Sequence, residues 1–243
     1  MNINTLHQIY KNQIDKRIEG CFSEYDLFMF WLLDLIQKHA AWRGDLCELG
    51  VYQGKTAISL GYLARPDEKL FCFDVFNKTP KSGVEATIGE FCPELQDRLV
   101  CIPENLKLLR ESPKTIEPGG MRFLHINSVH DHPAVLNDLN NFIPLLNNQA
   151  VIVLGNCFNP ELPGVITAMT EFCLSPRGRH IRPFASSREK MYLCGRHMVK
   201  AYQRLIVASE LIKNMSFELV LDGAVLRCFS CRHETLEQLS IHL

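Results

Sequence analysis

The sequence has no run of basic residues, no acidic tail, and no apolar segment long enough to cross a bilayer. Its 26 Lys and Arg residues nearly balance 27 Asp and Glu residues, so no excess positive charge favours a nucleic-acid backbone. The most apolar segment, Leu27–Ile36, carries Asp34 and is well short of the ~20 residues that span a membrane. Met1–Lys11 lacks the charged and apolar regions of a signal peptide. We therefore expect a cytoplasmic protein that binds neither membranes nor nucleic acid.

The chain also lacks the cysteine spacing of a disulfide scaffold or a zinc site. Its 10 cysteines are scattered over 243 residues, and Cys47, Cys72 and Cys101 lie in apolar runs. In a reducing cytosol such cysteines act as small hydrophobic residues. Cys228 and Cys231 form C-x-x-C, but no second pair or suitably spaced histidines accompany them. Two reduced thiols in a hairpin are the favoured interpretation, and a zinc or redox role is the alternative.

The stretch from residue 44 to residue 60, GDLCELGVYQGKTAISL, has the pattern of a strand, a glycine turn and a helix. Glu48 lies within the apolar run, where an unpaired charge is unfavourable, so it predicts a cationic or polyhydroxylated ligand. Gly50 and Gly54 lack Cβ atoms and let the backbone approach that ligand. The spacing E-x-G-x-x-x-G differs from G-x-G-x-x-G, whose second glycine makes room for pyrophosphate. The turn predicts a ligand without phosphate, and a turn that binds nothing is the alternative.

The segment ELGVYQGKTAISL resembles the first motif of class I S-adenosylmethionine-dependent methyltransferases. It is most similar to the macrocin O-methyltransferase-like group, which acts on sugars and natural products. The resemblance covers roughly residues 40–195 and implies S-adenosylmethionine as cofactor. A nicotinamide-dependent enzyme is disfavoured because G-x-G-x-x-G is missing. In this turn, the cofactor-binding residues that the resemblance implies are Glu48, Gly50, Val51, Tyr52, Gly54 and Thr56.

The second predicted strand, KLFCFDV, contains Asp74 near its carboxyl end. A carboxylate there is well placed to accept both hydroxyls of a ribose, as an acidic residue does in other nucleoside-binding α/β folds. The family pattern of an apolar strand, Asp and an aromatic two residues later is matched by Phe73, Asp74 and Phe76. The resemblance adds Val75 and Phe76 to the cofactor contacts. A helix cap or a surface Asp is the alternative.

A polar loop over Asn77–Gly89, a helix over residues 85–96 and a third strand, Leu99–Ile102, are expected next. The loop contains Pro80 and has the composition of loops that close over ligands. Glu104 and Asn105 follow the third strand where family members contact adenine. The resemblance therefore assigns this pair to the adenine pocket, although it replaces the commoner Gly-Asp.

The fourth and fifth strands end differently from those of the resembling group. The expected Asp after the fourth strand is Asn127, and the expected Asp-Asp or Asp-Asn after the fifth is Gly155-Asn156. In the metal-dependent branch of the family these carboxylates hold Mg²⁺, and neutral amides or a glycine replace them poorly. We expect no metal and count Asn127 among the cofactor-lining residues. A rearranged site with Asp131 or Glu161 is the alternative.

A histidine-rich turn follows the fourth strand, at the sheet edge where doubly wound folds bind ligands. His130 keeps the family position, and an imidazole can take the proton from an acceptor hydroxyl during methyl transfer. Asp131 or Asp138 is expected to orient it. The alternative is that His130 only hydrogen-bonds the loop or the cofactor carboxylate. His125 is expected to be a satisfied strand residue, and His132 to stack or hydrogen-bond.

Helices are expected before the glycine turn, with Ser23 as a helix cap and Phe28 in the core. Ser175–Arg182 is expected to be a solvated loop, with binding of an anionic acceptor as the alternative. A long helix, Met198–Lys213, should precede a hairpin centred on Asp222-Gly223. The terminal elements are candidates for a homo-oligomer contact.

These features predict an α/β fold with a doubly wound, mostly parallel sheet, that is, a Rossmann-like methyltransferase fold. Residues 1–43 form an N-terminal helical layer, residues 44–195 the S-adenosylmethionine-binding part, and residues 196–243 a C-terminal helix and hairpin of the same domain. The predicted function is metal-independent methylation of a small molecule, on oxygen, with His130 as base. The alternative is a non-catalytic homologue that binds S-adenosylmethionine or a protein partner.

Overall fold

The computed structural model describes residues 2–209 and 211–231, whose strands form one nine-stranded sheet. The strands are β1 Asp45–Leu49, β2 Leu70–Asp74, β3 Leu99–Pro103, β4 Met121–Ile126, β5 Leu146–Leu154, β6 Ile181–Ser186, β7 Met191–Gly195, β8 Ile212–Val220 and β9 Gly223–Cys231. Their order is β3-β2-β1-β4-β5-β7-β6-β9-β8, and β1 to β5 are parallel. The predicted doubly wound, mostly parallel sheet is confirmed. Its order reverses between β1 and β4, which is where such sheets bind ligands.

Helices cover both faces of this sheet. They are α1 Ile3–Ile9, α2 Asp15–Arg17, α3 Glu24–His39, α4 Lys55–Leu63, α5 Lys81–Phe91, α6 His132–Phe142, α7 Pro163–Leu174 and α8 Val199–Ala208. One hydrophobic cluster packs α3, α4, α5 and α8 on one face, and a second packs α6 and α7 on the other. Alternate residues of the central strands belong to different clusters, as expected for a sheet buried on both sides. Within the described ranges, no helix is long and apolar enough to cross a membrane.

The N-terminal helices pack against the sheet through a capped helix and buried aromatic rings. Ser23 caps α3: its side chain accepts from the Asp26 N–H, and the Asp26 carboxylate accepts from the Ser23 N–H. This capping box confirms the predicted helix start. Phe28 and Phe30 are buried in the core cluster, as core packing predicts. A π-helical turn, Tyr10–Ile14, joins α1 to α2.

A buried charge cluster joins α3 to the amino-terminal edge of the sheet. Arg122 of β4 is 0% exposed, and its guanidinium donates through Nε and Nη2 to the two oxygens of Glu68, both at 2.8 Å. Its Nη1 donates to Gln37 Oε1 at 2.6 Å, and Asp34 Oδ1 lies 2.9 Å from Nη2. A planar guanidinium suits this bidentate arrangement. The cluster therefore fixes the helical layer relative to β4.

The predicted boundaries of three segments were wrong, because contacts with distant parts of the chain decide them. The expected polar loop is shorter, since α5 already begins at Lys81. The helix expected over Met198–Lys213 ends at Ala208, and β8 follows. The expected loop Ser175–Arg182 runs into β6, whose Pro183 lies at an irregular point of the pairing with β7. Proline lowers the apparent strand tendency there, although an irregular ladder position tolerates its missing N–H.

The C-terminal hairpin is confirmed, because β8 and β9 pair antiparallel around the Asp222 turn. Arg182 of β6 donates through Nε to Asp222 at 2.6 Å, so this arginine binds the hairpin and not an anionic acceptor. Cys228 is buried in β9, whereas the side chain of Cys231 lies outside the described part of the chain. Leu219 of β8 is 86% exposed. A homo-oligomer contact through this hairpin and the three-segment division of the chain stay predictions.

We predict that Arg122→Met lowers the free energy of unfolding by about 3 kcal/mol, because it removes the bidentate partner of buried Glu68 and leaves Glu68 and Asp34 only the ion pairs with Arg65. Chemical denaturation measures the change. The matched control is Arg43→Met, since Arg43 pairs with Asp67 at 3.1 Å and both side chains are largely exposed. The control should lose about 0–1 kcal/mol. Equal losses in the two variants would contradict a stabilising buried cluster.

Candidate functional site

A cavity of about 700 Å³, here called the site cavity, lies where the carboxyl ends of β1, β2, β3, β4 and β5 meet. It coincides with the point where the strand order reverses. All the residues predicted for the site except two line it. They are Glu48, Gly50, Val51, Tyr52, Thr56, Asp74, Val75, Glu104, Asn105, Asn127 and His130.

The two exceptions, Gly54 and Phe76, lie behind the cavity wall. Gly54 precedes α4 with φ 91°, and a Cβ added there would lie 3.3 Å from Ile88 of α5. Phe76 packs its ring against the core cluster and donates its N–H to Asp74 Oδ1 at 2.9 Å. Both therefore support the wall from behind.

The sequence did not identify the residues that the N-terminal segment contributes to the cavity wall. Glu19, Gly20 and Cys21 line the site cavity opposite the glycine turn. Tyr52 Oη donates to Glu19 Oε2 at 2.8 Å, and buried Lys55 donates to Asp15 Oδ1 at 2.6 Å. The sequence signal for this contact is Lys55 at the start of a mostly apolar helix. A buried ammonium group needs an anionic partner, which Asp15 supplies.

Glu48 is 1% exposed, yet only one of its oxygens is hydrogen-bonded within the described residues. His125 Nδ1 lies 3.1 Å from Oε1, while Oε2 has no partner there. Burial raises the pKa of the Glu48 carboxyl well above its usual range, and burial lowers that of His125 well below its own. His125 is therefore neutral, and its Nε2 is also unpartnered in the described chain, so the predicted satisfied ring is only half correct. A cationic ligand in the cavity would complete the Glu48 site.

Asp74 ties the end of β2 to the glycine turn. Its Oδ2 accepts from the N–H groups of Val51 at 2.7 Å and Tyr52 at 3.0 Å, and its Oδ1 accepts from Phe76. A carboxylate has about four acceptor positions, so one remains for a ligand. Tyr52 needs such support because its φ is 53°, which side chains other than glycine disfavour. Binding of ribose by Asp74 stays a prediction.

The next wall follows β3. The Glu104 N–H donates to the Asp74 carbonyl at 2.9 Å, and exposed Asn105 precedes a short 3-10 turn. Both residues face the site cavity. An adenine contact for this pair stays a prediction.

His130 belongs to a neutral hydrogen-bonded cluster at the ends of β4 and β5. Its Nε2 lies 2.9 Å from Asn156 Nδ2 and 3.3 Å from Asn127 Oδ1. Asn156 Nδ2 also donates to Asn127 Oδ1 at 3.0 Å. Burial, followed by the charge of Lys190, lowers the pKa of His130, so the ring is neutral near pH 7.

The acidic residues expected to orient His130 are used elsewhere, so that prediction was wrong. Asp131 caps α6 through the Ala134 N–H and pairs with Lys107 at 2.6 Å. Asp138 accepts from Ser128 Oγ at 2.6 Å. The charge of Lys107 on one loop and the capping requirement of α6 decide this arrangement, and neither shows in the local pattern. His132 lies 2.9 Å from Glu171, on the α7 side.

Gly155 occupies the position where the resembling group has a carboxylate. A Cβ at this residue would overlap the Asn127 side-chain amide. The asparagine cluster therefore fills the space that a larger residue 155 would need. In residues 2–209 and 211–231, no group of three or more His, Cys, Asp or Glu side chains is arranged to hold a metal ion.

A doubly wound sheet with a glycine turn, a buried carboxylate and a second carboxylate after β2 defines a methyltransferase-type Rossmann-like fold. Residues 47–157 match a family model described as a methyltransferase domain. This segment is therefore similar to methyltransferase domains. No curated protein sequence matches the chain.

Solved structures with the same fold include several O-methyltransferases. The O-methyltransferase NovP aligns with a TM-score of 0.62 at 11% identity, over 79% of this chain and 97% of that one. CalS11, a TDP-rhamnose 3'-O-methyltransferase of calicheamicin biosynthesis, aligns with a TM-score of 0.54 at 14% identity, over 79% of this chain and 91% of that one. An O-methyltransferase from Bacillus cereus in complex with SAH gives a TM-score of 0.50 at 12% identity, over 79% and 90%. At these identities the likeness defines the fold.

We predict that Asp74→Ala weakens S-adenosylmethionine binding and lowers the melting temperature together, because three backbone N–H groups lose their acceptor. The loss of affinity should be about 1–3 kcal/mol. Asp74→Asn keeps an acceptor oxygen, so its affinity and melting temperature should lie between those of wild type and Asp74→Ala. Calorimetry and thermal denaturation measure the effects. Unchanged affinity in the alanine variant would contradict the role of Asp74 in shaping the cofactor turn.

The buried carboxyl of Asp138 should make stability depend on pH. Burial raises its pKa from 3.8 to about 7, so the folded state is favoured below pH 3.8 and loses this advantage as pH rises to about 7. Asp138→Asn still accepts from Ser128 but does not ionise. We predict that it is more stable than wild type at pH 8, by about 1.4 kcal/mol for each pH unit separating the two pKa values, and equal at pH 3.5.

A control with the opposite sign is Asp222→Asn. Its hydrogen bond from Arg182 lowers the Asp222 pKa from 3.8 to about 2, so this stabilisation is present above pH 3.8 and disappears as pH falls through 2. Asp222→Asn should therefore be less stable than wild type at neutral pH. Melting curves from pH 3 to pH 8 test both variants. A pH-independent difference for Asp138→Asn would contradict the raised pKa.

Proposed function

We propose that the chain methylates an oxygen of a small molecule such as a sugar or natural product, without a metal, and that His130 is the general base. The observation that carries the proposal is the unpartnered Oε2 of buried Glu48 in a cavity that also contains His130. A buried carboxylate oxygen requires a cation or donor, and the cofactor carries an ammonium group.

The residues of the cavity fit the cofactor. Glu48 would hold its ammonium group, and Gly50 lets the turn lie against the end of β4, because a Cβ there would overlap the backbone of Asn127. Asp74 would accept from the ribose with its remaining acceptor position, and Glu104 with Asn105 would line the adenine end. When bound, S-adenosylmethionine supplies an electrophilic methyl group on a sulfonium.

The protein then has to align an acceptor and remove its proton. His130 is suited to the second task because its ring is neutral near pH 7 and faces the site cavity with two amide side chains. A neutral imidazole accepts a proton from a hydroxyl as the oxygen becomes bonded to carbon. The walls of the site cavity would hold the acceptor in line with the methyl group.

Metal independence is supported by the chemistry of the residues that replace the carboxylates. Asn127 and Asn156 present neutral amides that bond each other and His130. Hard cations such as Mg²⁺ require several anionic or water oxygens, and the glycine between β5 and Asn156 supplies none. Neutral amides instead suit an uncharged hydroxyl compound, since they both donate and accept hydrogen bonds.

The solved structures with a similar fold also support the proposed class of acceptor. CalS11 is described as acting on TDP-rhamnose, and NovP as an O-methyltransferase. Their alignment covers 79% of this chain. A hydroxylated small molecule is therefore the acceptor that we propose.

The decisive experiment is calorimetric titration with S-adenosylmethionine and S-adenosylhomocysteine, with Mg²⁺ and after chelation. We expect binding that is indifferent to metal and strengthens with rising pH, because the raised pKa of Glu48 leaves part of the carboxyl protonated at lower pH. Glu48→Gln should bind about 10- to 100-fold more weakly, because a charge-assisted hydrogen bond is lost. Exposed Glu94→Gln is the matched control and should bind as wild type does.

Product formation over a panel of hydroxylated acceptors then separates catalysis from binding. Methylated product without added metal supports the proposed enzyme. Cofactor binding without any product favours the non-catalytic alternative. Absence of cofactor binding at every pH would contradict the role of Glu48 and the proposed function together.

A further inference from the structure

We propose that Asn156 is a positioning residue that keeps the Nε2 of His130 as a proton acceptor in the site cavity, with Asn127 fixing the orientation of Asn156. The inference rests on the proposed function, because it explains how His130 is prepared to act as base. Asn156 and Asn127 occupy positions where the resembling group has metal-binding carboxylates, and here they would orient His130.

The three side chains meet within hydrogen-bond distance of one another. Asn156 Nδ2 lies between two atoms, at 2.9 Å from His130 Nε2 and 3.0 Å from Asn127 Oδ1. An amide nitrogen carries two hydrogens, so it donates to both. His130 Nε2 must then accept, and the ring proton resides on Nδ1. The longer contact of 3.3 Å between Nε2 and Asn127 Oδ1 joins two acceptors and needs no proton.

The orientation of each amide decides which nitrogen of His130 carries the proton. If both amides were rotated by 180°, Asn127 would donate to Asn156 Oδ1, and that oxygen would accept from a protonated His130 Nε2. The ring would then present a donor to the cavity and could not take a hydroxyl proton at that nitrogen. The two arrangements have opposite chemical consequences and distinct spectroscopic signatures.

The backbone supports a dedicated role for Asn156. Its φ is 56°, in the left-handed region that Asn tolerates better than most residues. Its side chain is buried, with 8% exposure. Residues held in this conformation cluster at functional sites, where the fold stabilises them. The strained backbone directs the Asn156 amide toward His130.

Gly155 makes the arrangement possible. A Cβ at this position would overlap Asn127 Oδ1, so any side chain would displace the amide that orients Asn156. The glycine therefore has a steric reason to stand at the end of β5. The same reason explains why a carboxylate at residue 155 and this asparagine cluster exclude each other.

The arrangement poises His130 for proton transfer. An incoming acceptor hydroxyl donates to Nε2 in place of the Asn156 N–H, while Asn156 keeps its bond to Asn127. As the acceptor oxygen bonds to the methyl carbon and the carbon–sulfur bond breaks, the hydroxyl proton passes to Nε2. The resulting imidazolium then carries one proton on each nitrogen. The positive charge of Lys190 favours later release of that proton.

Nitrogen-15 NMR of imidazole-labelled full-length protein, at pH 7 without acceptor, tests the inference. We expect wild-type His130 to carry its proton on Nδ1 and to have an unprotonated Nε2. Asn156→Asp should move the proton to Nε2 and raise the pKa of His130 by about one pH unit or more, because a carboxylate replaces the amide donor. Gly155→Ala should abolish the single tautomer by displacing Asn127. Asn159→Asp, on the same loop with its side chain bonded to the Glu161 N–H, should leave the tautomer unchanged.

The charged groups that line the cavity with His130 include Glu19, Lys55, Asp74, Lys78 and Glu104, and the variants leave them intact. Lys190, from the turn between β6 and β7, acts on the ring, and Asp131 of its own loop is paired with Lys107. Glu48 lines the same cavity. None of these changes in Asn156→Asp, so a shift of the His130 pKa reports the replaced amide.

Two results would overturn the inference: a wild-type proton on Nε2, or an Asn156→Asp variant with the wild-type tautomer and pKa. The measurement uses no acceptor and no turnover. If the expected tautomers are found but no acceptor is methylated, the positioning of His130 stands and the proposed function fails. If methylation occurs but His130 carries its proton on Nε2, only the positioning inference fails.

Discussion

The site depends on the burial of a carboxylate inside a parallel sheet. Glu48 and His125 occupy directly paired positions of β1 and β4, so the strand register itself brings the carboxylate to a hydrogen-bonding partner. One partner satisfies one oxygen, and the other oxygen remains at the cavity. This unpaired oxygen is unfavourable without a ligand and favourable with a cationic one. Folding thus prepares a position that a cationic ligand would complete.

The two ends of the cavity have different electrostatic character. The end that we propose for the cofactor carries Glu48 and Asp74, which suit an ammonium group and hydroxyls. The end that we propose for the acceptor presents His130 and two asparagines, which are neutral near pH 7 and hydrogen-bond one another. The two carboxylates therefore lie at the proposed cofactor end, and the neutral end suits an uncharged acceptor. Gly155 makes this division possible by leaving space for Asn127.

The parts of the fold that sequence predicted are those with strong local patterns. The glycine turn, the capping box at Ser23 and the hairpin at Asp222 each depend on a few adjacent residues with specific backbone requirements. The wrong predictions concern segments whose structure depends on residues distant in sequence. Strand β6 contains Pro183, which disfavours a strand locally. Helix α8 ends earlier than predicted because the residues that follow it pair with β9 as strand β8. Tertiary pairing overrides local tendency at both places.

Composition and motif spacing alone determined that this chain is an α/β protein with a glycine turn beside a buried carboxylate at Glu48, because alternating strand and helix patterns and spaced glycines are local signals. Only the tertiary structure decided what surrounds that turn. It placed Glu19 against Tyr52 and Asn156 against His130, pairs separated by tens of residues in sequence. Such contacts follow from strand order and helix packing, which bring together residues whose local patterns have no relation to each other.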